Sequence, residues 1–153
     1  MRAAFPPVSA SYEEAIDAGP EEIFDAWTRP EELKRWFGPG GFETIDAVLE
    51  PRAGGTYRLV MRAPDGNDLT ISGVYREVVR PSRIVYTWTW GHAPDQEMVV
   101  TVELRAIAAS RTVVRVTHAG IVDGELARYE GGWSEGLARL RAVLATRRRA
   151  NDA

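Results

Sequence analysis

The sequence has no cysteine and only two histidines among its 153 residues. Without cysteine the chain forms no disulfide and no thiolate site, and this composition fits a reducing compartment. Two histidines without any acidic pair at ligand spacing argue against a zinc centre. The sequence therefore predicts no metal and no other cofactor.

No charge of one sign dominates, and no long apolar run is present. The net charge of -3 and the pI near 5.5 argue against a nucleic-acid partner, because such proteins usually carry a basic stripe. No stretch approaches the roughly 20 apolar residues of a membrane span, and residues 1–7 lack the apolar run of a signal peptide. We therefore expect a cytoplasmic protein without integral membrane association.

The composition is that of one globular domain. A chain of this length hides roughly 68–70% of the surface that its unfolded form exposes, and the apolar and charged fractions are 44% and 27%, as in ordinary domains. No internal repeat or linker is visible. We predict a single domain over residues 1–153, with loosely ordered tails at residues 1–7 and 147–153.

Two short helices are predicted early in the chain. Pro20 and Pro30 each begin an apolar pattern of helical spacing, and each is followed by two glutamates, which suit the positive end of a helix dipole. The apolar residues of the two helices are Ile23, Phe24, Trp27, Leu33, Trp36 and Phe37.

Seven strands are predicted, one before these helices and six after them. Turn residues such as Gly54-Gly55 and Asp65-Gly66 separate the later strands. Short loops between consecutive strands favour an antiparallel meander. The predicted strands cover residues 8–16, 42–49, 56–61, 69–79, 84–90, 98–107 and 112–118.

The last predicted element is a long helix that begins at Leu126. Its apolar residues recur in steps of three and four, which places them on one helix face. The pair Gly131-Gly132 weakens the first turns of this helix. The apolar face contains Tyr129, Trp133, Leu137, Leu140 and Leu144.

Alternation along the strands places apolar and aromatic side chains on one face of the sheet. Such a face needs a cover, which the last helix supplies. This predicts an α+β helix-grip fold: a curved antiparallel sheet of about six to seven strands wrapped around a long C-terminal helix, with two short helices after the first strand. Gly73, a glycine among large inward residues, leaves room or marks a bulge.

A space between the sheet and the last helix is predicted to hold a small apolar molecule. Pockets for such ligands usually have about 300–1,000 Å³. The alternative for about half of the aromatic residues is ordinary core packing. The predicted pocket residues are Trp36, Phe37, Tyr57, Leu59, Met61, Tyr75, Trp88, Trp90, Val100, His118, Trp133 and Leu137.

Polar residues on the predicted inner face are few. His118 is either a core histidine bonded to a backbone group or a polar handle that orients a ligand. Glu77 shares strand parity with Tyr75 and so could point inward, although a solvated or arginine-paired carboxylate near the Arg80 turn is favoured. An enzyme of the cyclase or hydratase kind would need at least two polar groups that converge in the pocket, for example His118 with Glu77 or with Tyr75.

The segment Gly132-Trp133-Ser134-Glu135-Gly136 matches the pattern of a hydrolase nucleophile elbow. That elbow requires a strand, a sharp turn and a helix, whereas this segment lies inside the first turns of the predicted helix. We therefore interpret the match as chance, and predict no catalytic residue.

Several motifs between about residue 12 and residue 144 together form a specific pattern. They are Phe24-Asp25-Ala26-Trp27, Pro30-Glu31-Glu32-Leu33-Lys34-Arg35-Trp36-Phe37-Gly38-Pro39, Pro51-Arg52-Ala53-Gly54-Gly55-Thr56-Tyr57-Arg58, the Asp65-Gly66 turn, Gly73-Val74-Tyr75-Arg76-Glu77, Pro81-Ser82-Arg83-Ile84-Val85-Tyr86-Thr87-Trp88, and Gly132-Trp133 followed by Leu137 and Leu140. This pattern resembles single-domain proteins similar to activators of the heat shock protein 90 ATPase, within the helix-grip superfamily that also holds lipid-transfer and polyketide-cyclase domains.

The resemblance implies the fold and leaves three functions open. The first is binding of a small apolar molecule, the second is a cyclase or hydratase that uses His118, and the third is an interaction domain that assists a chaperone. The eukaryotic co-chaperones of this family carry a separate chaperone-binding domain, for which this chain has no room. Pairing through edge strands of the sheet leaves a homodimer open.

Overall fold

A computed structural model describes the backbone of residues 7–152 and the side chains of residues 7–150. Residues 1–6 and 153, which belong to the two predicted tails, lie outside the described residues. The elements in chain order are β1 (Val8–Ile16), α1 (Pro20–Thr28), α2 (Pro30–Leu33), β2 (Glu43–Leu49), β3 (Thr56–Arg62), β4 (Asp68–Val79), β5 (Arg83–Trp90), β6 (Ala93–Ala108), β7 (Arg111–Ile121) and α3 (Leu126–Asp152).

The strands form one seven-stranded antiparallel sheet in the order β1-β7-β6-β5-β4-β3-β2. The six strands from β2 to β7 follow one another as a meander, and β1 pairs with β7 at the other edge. The inner face of the sheet packs against α3, whose Leu137, Leu140 and Leu144 are at most 2% exposed. The predicted helix-grip fold is confirmed.

The outer face of the sheet carries charges that alternate in sign from strand to strand. Arg115 in β7 lies in register between Glu13 of β1 and Glu103 of β6. Arg83 of β5 continues the row, because its guanidinium donates to Glu103 and to Glu77 at 3.1 Å each. Opposite charges on neighbouring strands stabilise this face while it stays exposed to solvent.

Glu77 points outward because a bulge changes the strand parity. The register between β4 and β5 shifts between Tyr75 and Glu77, and an extra residue at a bulge moves the following side chains to the other face. Tyr75 therefore stays buried, while Glu77 bonds Arg83 on the outer face. Of the two favoured alternatives for Glu77, a solvated or an arginine-paired carboxylate, the geometry agrees with the second.

Gly73 makes room for backbone rather than for a ligand. A Cβ at this position would lie 2.1 Å from the carbonyl oxygen of Thr87. The same carbonyl accepts a 2.5 Å hydrogen bond from the Tyr57 hydroxyl, and the Thr87 hydroxyl accepts one from the Val74 amide at 2.8 Å. Glycine is therefore required by the close approach of β4 and β5.

The strand β6 begins earlier than predicted, at Ala93 instead of residue 98. Trp90 pairs with Ala93, so the turn between β5 and β6 is reduced to Gly91-His92. The register then shifts before Met98, and residues 94–97 are exposed. The sequence pattern misses this extension because Pro94 is unfavourable in a regular ladder and is accommodated only where the pairing is irregular.

Two further findings concern the helices. Among the described residues, no helix is long and apolar enough to cross a membrane. The helix α3 continues through residues 147–152, and Arg147 donates to Glu32 of α2 at 2.6 Å. An ion pair of this kind ties the C-terminal part of α3 to the early helices.

Candidate ligand-binding groove

A groove of about 640 Å³ opens at one end of the interface between sheet and helix. It lies between the hairpin of β5 and β6, the loop of residues 38–42 after α2, and the first turns of α3. We call this space the groove. Its lining residues are Phe37, Gly38, Pro39, Gly40, Phe42, Met61, Leu69, Trp88, Trp90, His92, Ala93, Gln96, Glu125, Ala127, Arg128, Tyr129, Gly131, Gly132, Trp133, Glu135 and Gly136.

Aromatic side chains form the floor of the groove. Trp88 lies at the centre of this floor, with its ring centroid 5.4 Å from Trp90, 5.8 Å from Phe37 and 6.1 Å from Trp133. The Trp90 and Trp133 contacts are edge-to-face, an arrangement that aromatic rings prefer. Trp90 is half-buried, so this floor offers apolar surface to a bound molecule.

A hydrogen bond joins the sheet to the helix across the groove. The indole N–H of Trp90 donates to the hydroxyl of Tyr129 at 2.8 Å. Burial raises the pKa of the Tyr129 hydroxyl, so this group stays neutral at ordinary pH. The remaining polar side chains, those of His92, Gln96, Glu125, Arg128 and Glu135, lie at exposed or half-exposed positions around the apolar floor.

His118 lies beneath the floor, fully buried, and both of its ring nitrogens are occupied. The indole N–H of Trp133 donates to Nδ1 at 3.0 Å, and Nε2 lies 3.3 Å from the sulfur of Met98. Because Nδ1 accepts, the ring hydrogen belongs on Nε2, where it faces a weak thioether acceptor. Burial lowers the pKa of His118 to about 3, so the ring is neutral at pH 7.

The loop of residues 38–42, one wall of the groove, is held by two charged side chains of α3. Nη1 of Arg139 donates to the carbonyl oxygens of Gly38, Pro39 and Phe42 at 3.0 to 3.2 Å. The amide of Gly40 donates to Glu135 at 2.5 Å. Since these groups are charged, their hydrogen bonds are of the stronger kind.

Five of the twelve predicted pocket residues line the groove. Three others, together with Phe37, line a separate void of about 10 Å³, the size of one water molecule. The last four belong to neither space and are at most 1% exposed. The three sets are Phe37, Met61, Trp88, Trp90 and Trp133 in the groove, Tyr57, Leu59 and Tyr75 at the void, and Trp36, Val100, His118 and Leu137 in the core.

The groups named for the cyclase or hydratase alternative, His118, Glu77 and Tyr75, do not converge. Glu77 bonds Arg83 on the outer face, and Tyr75 lies at the small void, away from His118 and its partners Trp133 and Met98. Burial raises the pKa of the Tyr75 hydroxyl, which makes it a poor proton donor or acceptor at neutral pH. Within residues 7–150 no group of three or more potential metal ligands occurs.

The Gly-x-Ser-x-Gly segment lies inside α3 and has no elbow geometry. Ser134 follows helical residues, and its hydroxyl donates to the Tyr12 hydroxyl of β1 at 3.3 Å. The interpretation of this match as chance agrees with the structure, because a nucleophile elbow requires a strand-to-helix turn.

Several groove residues were not predicted from the sequence. Leu69 stands opposite Met61 in the register of β3 and β4, so strand pairing would have found it. Tyr129 shares the apolar helix face with Trp133. Phe42 and the glycines of residues 38–41 carry no periodic signal, because their position depends on the bonds from Arg139 and Glu135.

Comparisons with known proteins agree with this architecture. The model of the family described as activator of Hsp90 ATPase homolog 1-like protein matches residues 17–145. A solved protein from Chromobacterium violaceum is 27% identical, with a TM-score of 0.79 over 90% of this chain and 97% of its own. An HSP90 activator from Plasmodium falciparum is 25% identical, with a TM-score of 0.72 over 90% of this chain and 96% of its own.

The AHSA1 protein from Silicibacter pomeroyi is 24% identical, with a TM-score of 0.81 over 92% of this chain and 99% of its own, and shows the same fold. No curated protein matches the chain significantly. Because the family model covers most of the chain, from residue 17 to residue 145, the protein belongs to the family of activator of Hsp90 ATPase homolog 1-like proteins.

Proposed function

We propose that this protein binds a small apolar molecule in the groove. The observation that carries the proposal is the combination of about 640 Å³ of space with six aromatic side chains around it, those of Phe37, Phe42, Trp88, Trp90, Tyr129 and Trp133. This volume lies within the range of about 300–1,000 Å³ that small-molecule sites occupy.

The rest of the interior supports the groove as the binding place. The void next to Tyr57, Leu59 and Tyr75 has only about 10 Å³, which leaves no room for an organic ligand. Leu137 and Leu140 of α3 are fully buried, so the middle of the sheet–helix interface is filled. A ligand therefore enters at the groove end or displaces core side chains.

We propose binding without chemical conversion. A general acid or base needs to reach the reacting atom and to change protonation near the working pH. His118 meets neither condition, because Trp133 and Met98 occupy its nitrogens and burial lowers its pKa to about 3. The cyclase or hydratase function is accordingly ranked below binding.

A second candidate function is stimulation of a chaperone ATPase, because the chain is similar to an HSP90 activator from Plasmodium falciparum. That activity would need an exposed surface for the chaperone rather than the groove. It would survive a substitution that fills the groove, which distinguishes it from ligand binding. A small apolar partner, a homodimer and a cytoplasmic location, as expected from the sequence, stay predictions.

The proposal is tested by titration with N-phenyl-1-naphthylamine, a neutral apolar dye that fluoresces in apolar surroundings. We expect a saturable rise in fluorescence with the unchanged protein. Ala127→Trp places a large side chain at an exposed groove position of α3, and we expect it to weaken dye binding at least ten-fold.

The matched control is Ala138→Trp, which adds the same side chain at an exposed position of α3 outside the groove. We expect it to bind the dye like the unchanged protein. Equal weakening by both variants, or the lack of saturable binding to the unchanged protein, would refute the groove as the binding site.

A further inference from the structure

No close packing contact requires glycine at residues 131 and 132 of α3. A Cβ added to Gly131 or to Gly132 would meet nothing within 4 Å, so alanine would fit at both positions. Glycine inside a helix is less favourable than alanine. The pair therefore weakens α3 locally, between its first turn and the long part that packs on the sheet.

The segment before this pair, residues 126–130, lies between Gly124-Glu125 and Gly131 and is called the lid here. Gly124 precedes it, with a φ of +94° and open space around its missing side chain. The first turn of α3 contains no acidic residue, and the nearest carboxylate that can complement the helix dipole is that of Glu125, directly before the helix. The local sequence thus gives the lid little helical stability of its own.

Two side chains, those of Tyr129 and Leu126, connect the lid to the core of the protein. Tyr129 is 9% exposed, accepts the hydrogen bond of Trp90 and packs its ring 4.6 Å from the His118 ring. The lid residues Ala127, Arg128 and Glu130 are exposed, and Leu126 is half-buried. Opening the lid therefore breaks the contacts of two side chains, those of Tyr129 and of Leu126, which packs against the core.

Removal of Tyr129 would leave two specific vacancies. The Trp90 N–H would lose its acceptor oxygen, and the face of the neutral His118 ring would lose its aromatic neighbour. Trp90 is half-buried, and a donor that loses its partner in such a place is unfavourable. A molecule that stabilises the open state must therefore supply both an aromatic ring and an oxygen acceptor in place of the tyrosine side chain.

We propose that residues 126–130 swing about Gly131-Gly132, and that the ligand admitted in this way is an aromatic molecule with an oxygen acceptor such as a phenol or aryl ketone. Its ring takes the place of the Tyr129 ring against His118, and its oxygen accepts the Trp90 hydrogen bond. The ligand class rests on the proposed function of the groove, whereas the hinge is a property of the free protein.

The hinge is tested by hydrogen exchange of the ligand-free protein. In an α-helix the amides of residues 130–134 donate to the carbonyls of residues 126–130, so their exchange reports opening of the lid. We expect these amides to exchange through an opening well below global unfolding in free energy. The double variant Gly131→Ala/Gly132→Ala should slow that exchange roughly ten- to thirty-fold, as the helix propensities of the two residues indicate.

Two further variants make this measurement specific. Tyr129→Phe removes the acceptor of the Trp90 hydrogen bond and should speed the same exchange, while Ala138→Gly, an exposed position later in α3, should leave it unchanged. Exchange of residues 130–134 only through global unfolding, or the same rate in the double alanine variant as in the unchanged protein, would overturn the hinge.

The ligand class is tested with 2-naphthol and naphthalene, which share a ring system and differ in one hydroxyl. We expect 2-naphthol to bind about two- to ten-fold more tightly, the value of one hydrogen bond, and Trp90→Phe to abolish the difference. Equal affinities in the unchanged protein, or a difference that persists in Trp90→Phe, would overturn the ligand class. Binding of neither compound would overturn both the ligand class and the function of the groove, and would leave the exchange result to decide the hinge.

Discussion

At the scale of single residues, the most informative side chain is His118. Its position on the inner face of β7 suits a polar handle, yet the structure gives its acceptor nitrogen to Trp133 and its other nitrogen to Met98. The residue therefore acts as a buried hydrogen-bond acceptor for the aromatic floor. Burial also lowers its pKa to about 3, and this shift links protein stability to pH.

The linkage gives a pH dependence with a defined sign. The His118 pKa is about 3 in the folded protein, whereas in the unfolded chain it has the ordinary histidine value of 6.5. Between these two pH values the unfolded chain therefore binds one more proton than the folded protein. The contribution to stability is fully present above pH 6.5 and is lost as the pH falls toward 3. Between pH 7 and pH 5 we expect the free energy of unfolding to fall by about 2 kcal/mol, measured by urea denaturation at each pH.

The variants His118→Gln and His92→Gln separate this effect from other titrations. Glutamine keeps an acceptor for Trp133 but does not titrate, so His118→Gln should lose most of the pH dependence over this interval. His92 is exposed, and its replacement should leave the dependence in place. An unchanged slope in His118→Gln would contradict the buried, neutral state of His118.

The faces of most strand residues can be predicted from the sequence, but bulges and contacts between distant elements cannot. Alternation correctly places Tyr57, Leu59 and Met61 inward. It assigns Glu77 an inward parity because the bulge after Tyr75 leaves no trace in the residue pattern. The partners of His118 are likewise beyond prediction, since they come from β6 and α3 and meet only in the folded protein.

At the scale of elements, α3 organises the groove as well as the core. One part of its surface packs against the sheet through Leu137 and Leu140, and another holds the loop of residues 38–42 through Arg139 and Glu135. The apolar periodicity of α3 was readable from the sequence. The role of its charged residues was not, because three carbonyl groups that converge on one guanidinium carry no sequence signal.

We expect Arg139→Leu to lower the free energy of unfolding by about 2–3 kcal/mol, because the carbonyls of Gly38, Pro39 and Phe42 lose a charged donor. Urea denaturation measures the loss. Arg149→Leu, at an exposed position near the end of α3, should change stability by no more than about 0.5 kcal/mol. Equal losses in the two variants would show that the loop does not depend on Arg139.

At the scale of the whole molecule, the fold follows from the order of its elements. Six strands joined by short loops form the meander, and the long apolar face of α3 covers the sheet. β1 pairs with β7 and forms the edge of the sheet opposite β2. The meander and the covering helix depend on periodicity and loop length, which the sequence shows directly, and the predicted helix-grip architecture is confirmed for this reason. The pairing of β1 with β7 joins distant segments and was not predicted.

The place of the free space depends on packing, which the sequence does not show. The twelve predicted residues divide among the groove, the small void and the core, because large side chains such as Trp36 and Tyr57 fill the middle of the interface. The remaining space lies at the end where the β5–β6 hairpin, residues 38–42 and the lid meet. The proposed function therefore requires that a ligand occupies this groove.

Native mass spectrometry of the gently purified protein tests that occupation most directly, with an organic extract of the same sample measured alongside. We predict a reproducible extra mass on the protein that disappears after extraction and is reduced or lost in Ala127→Trp but retained in Ala138→Trp. The same extra mass in both variants would contradict the proposed binding in the groove. So would a bare protein mass that persists after incubation with an extract of the cells that produced the protein.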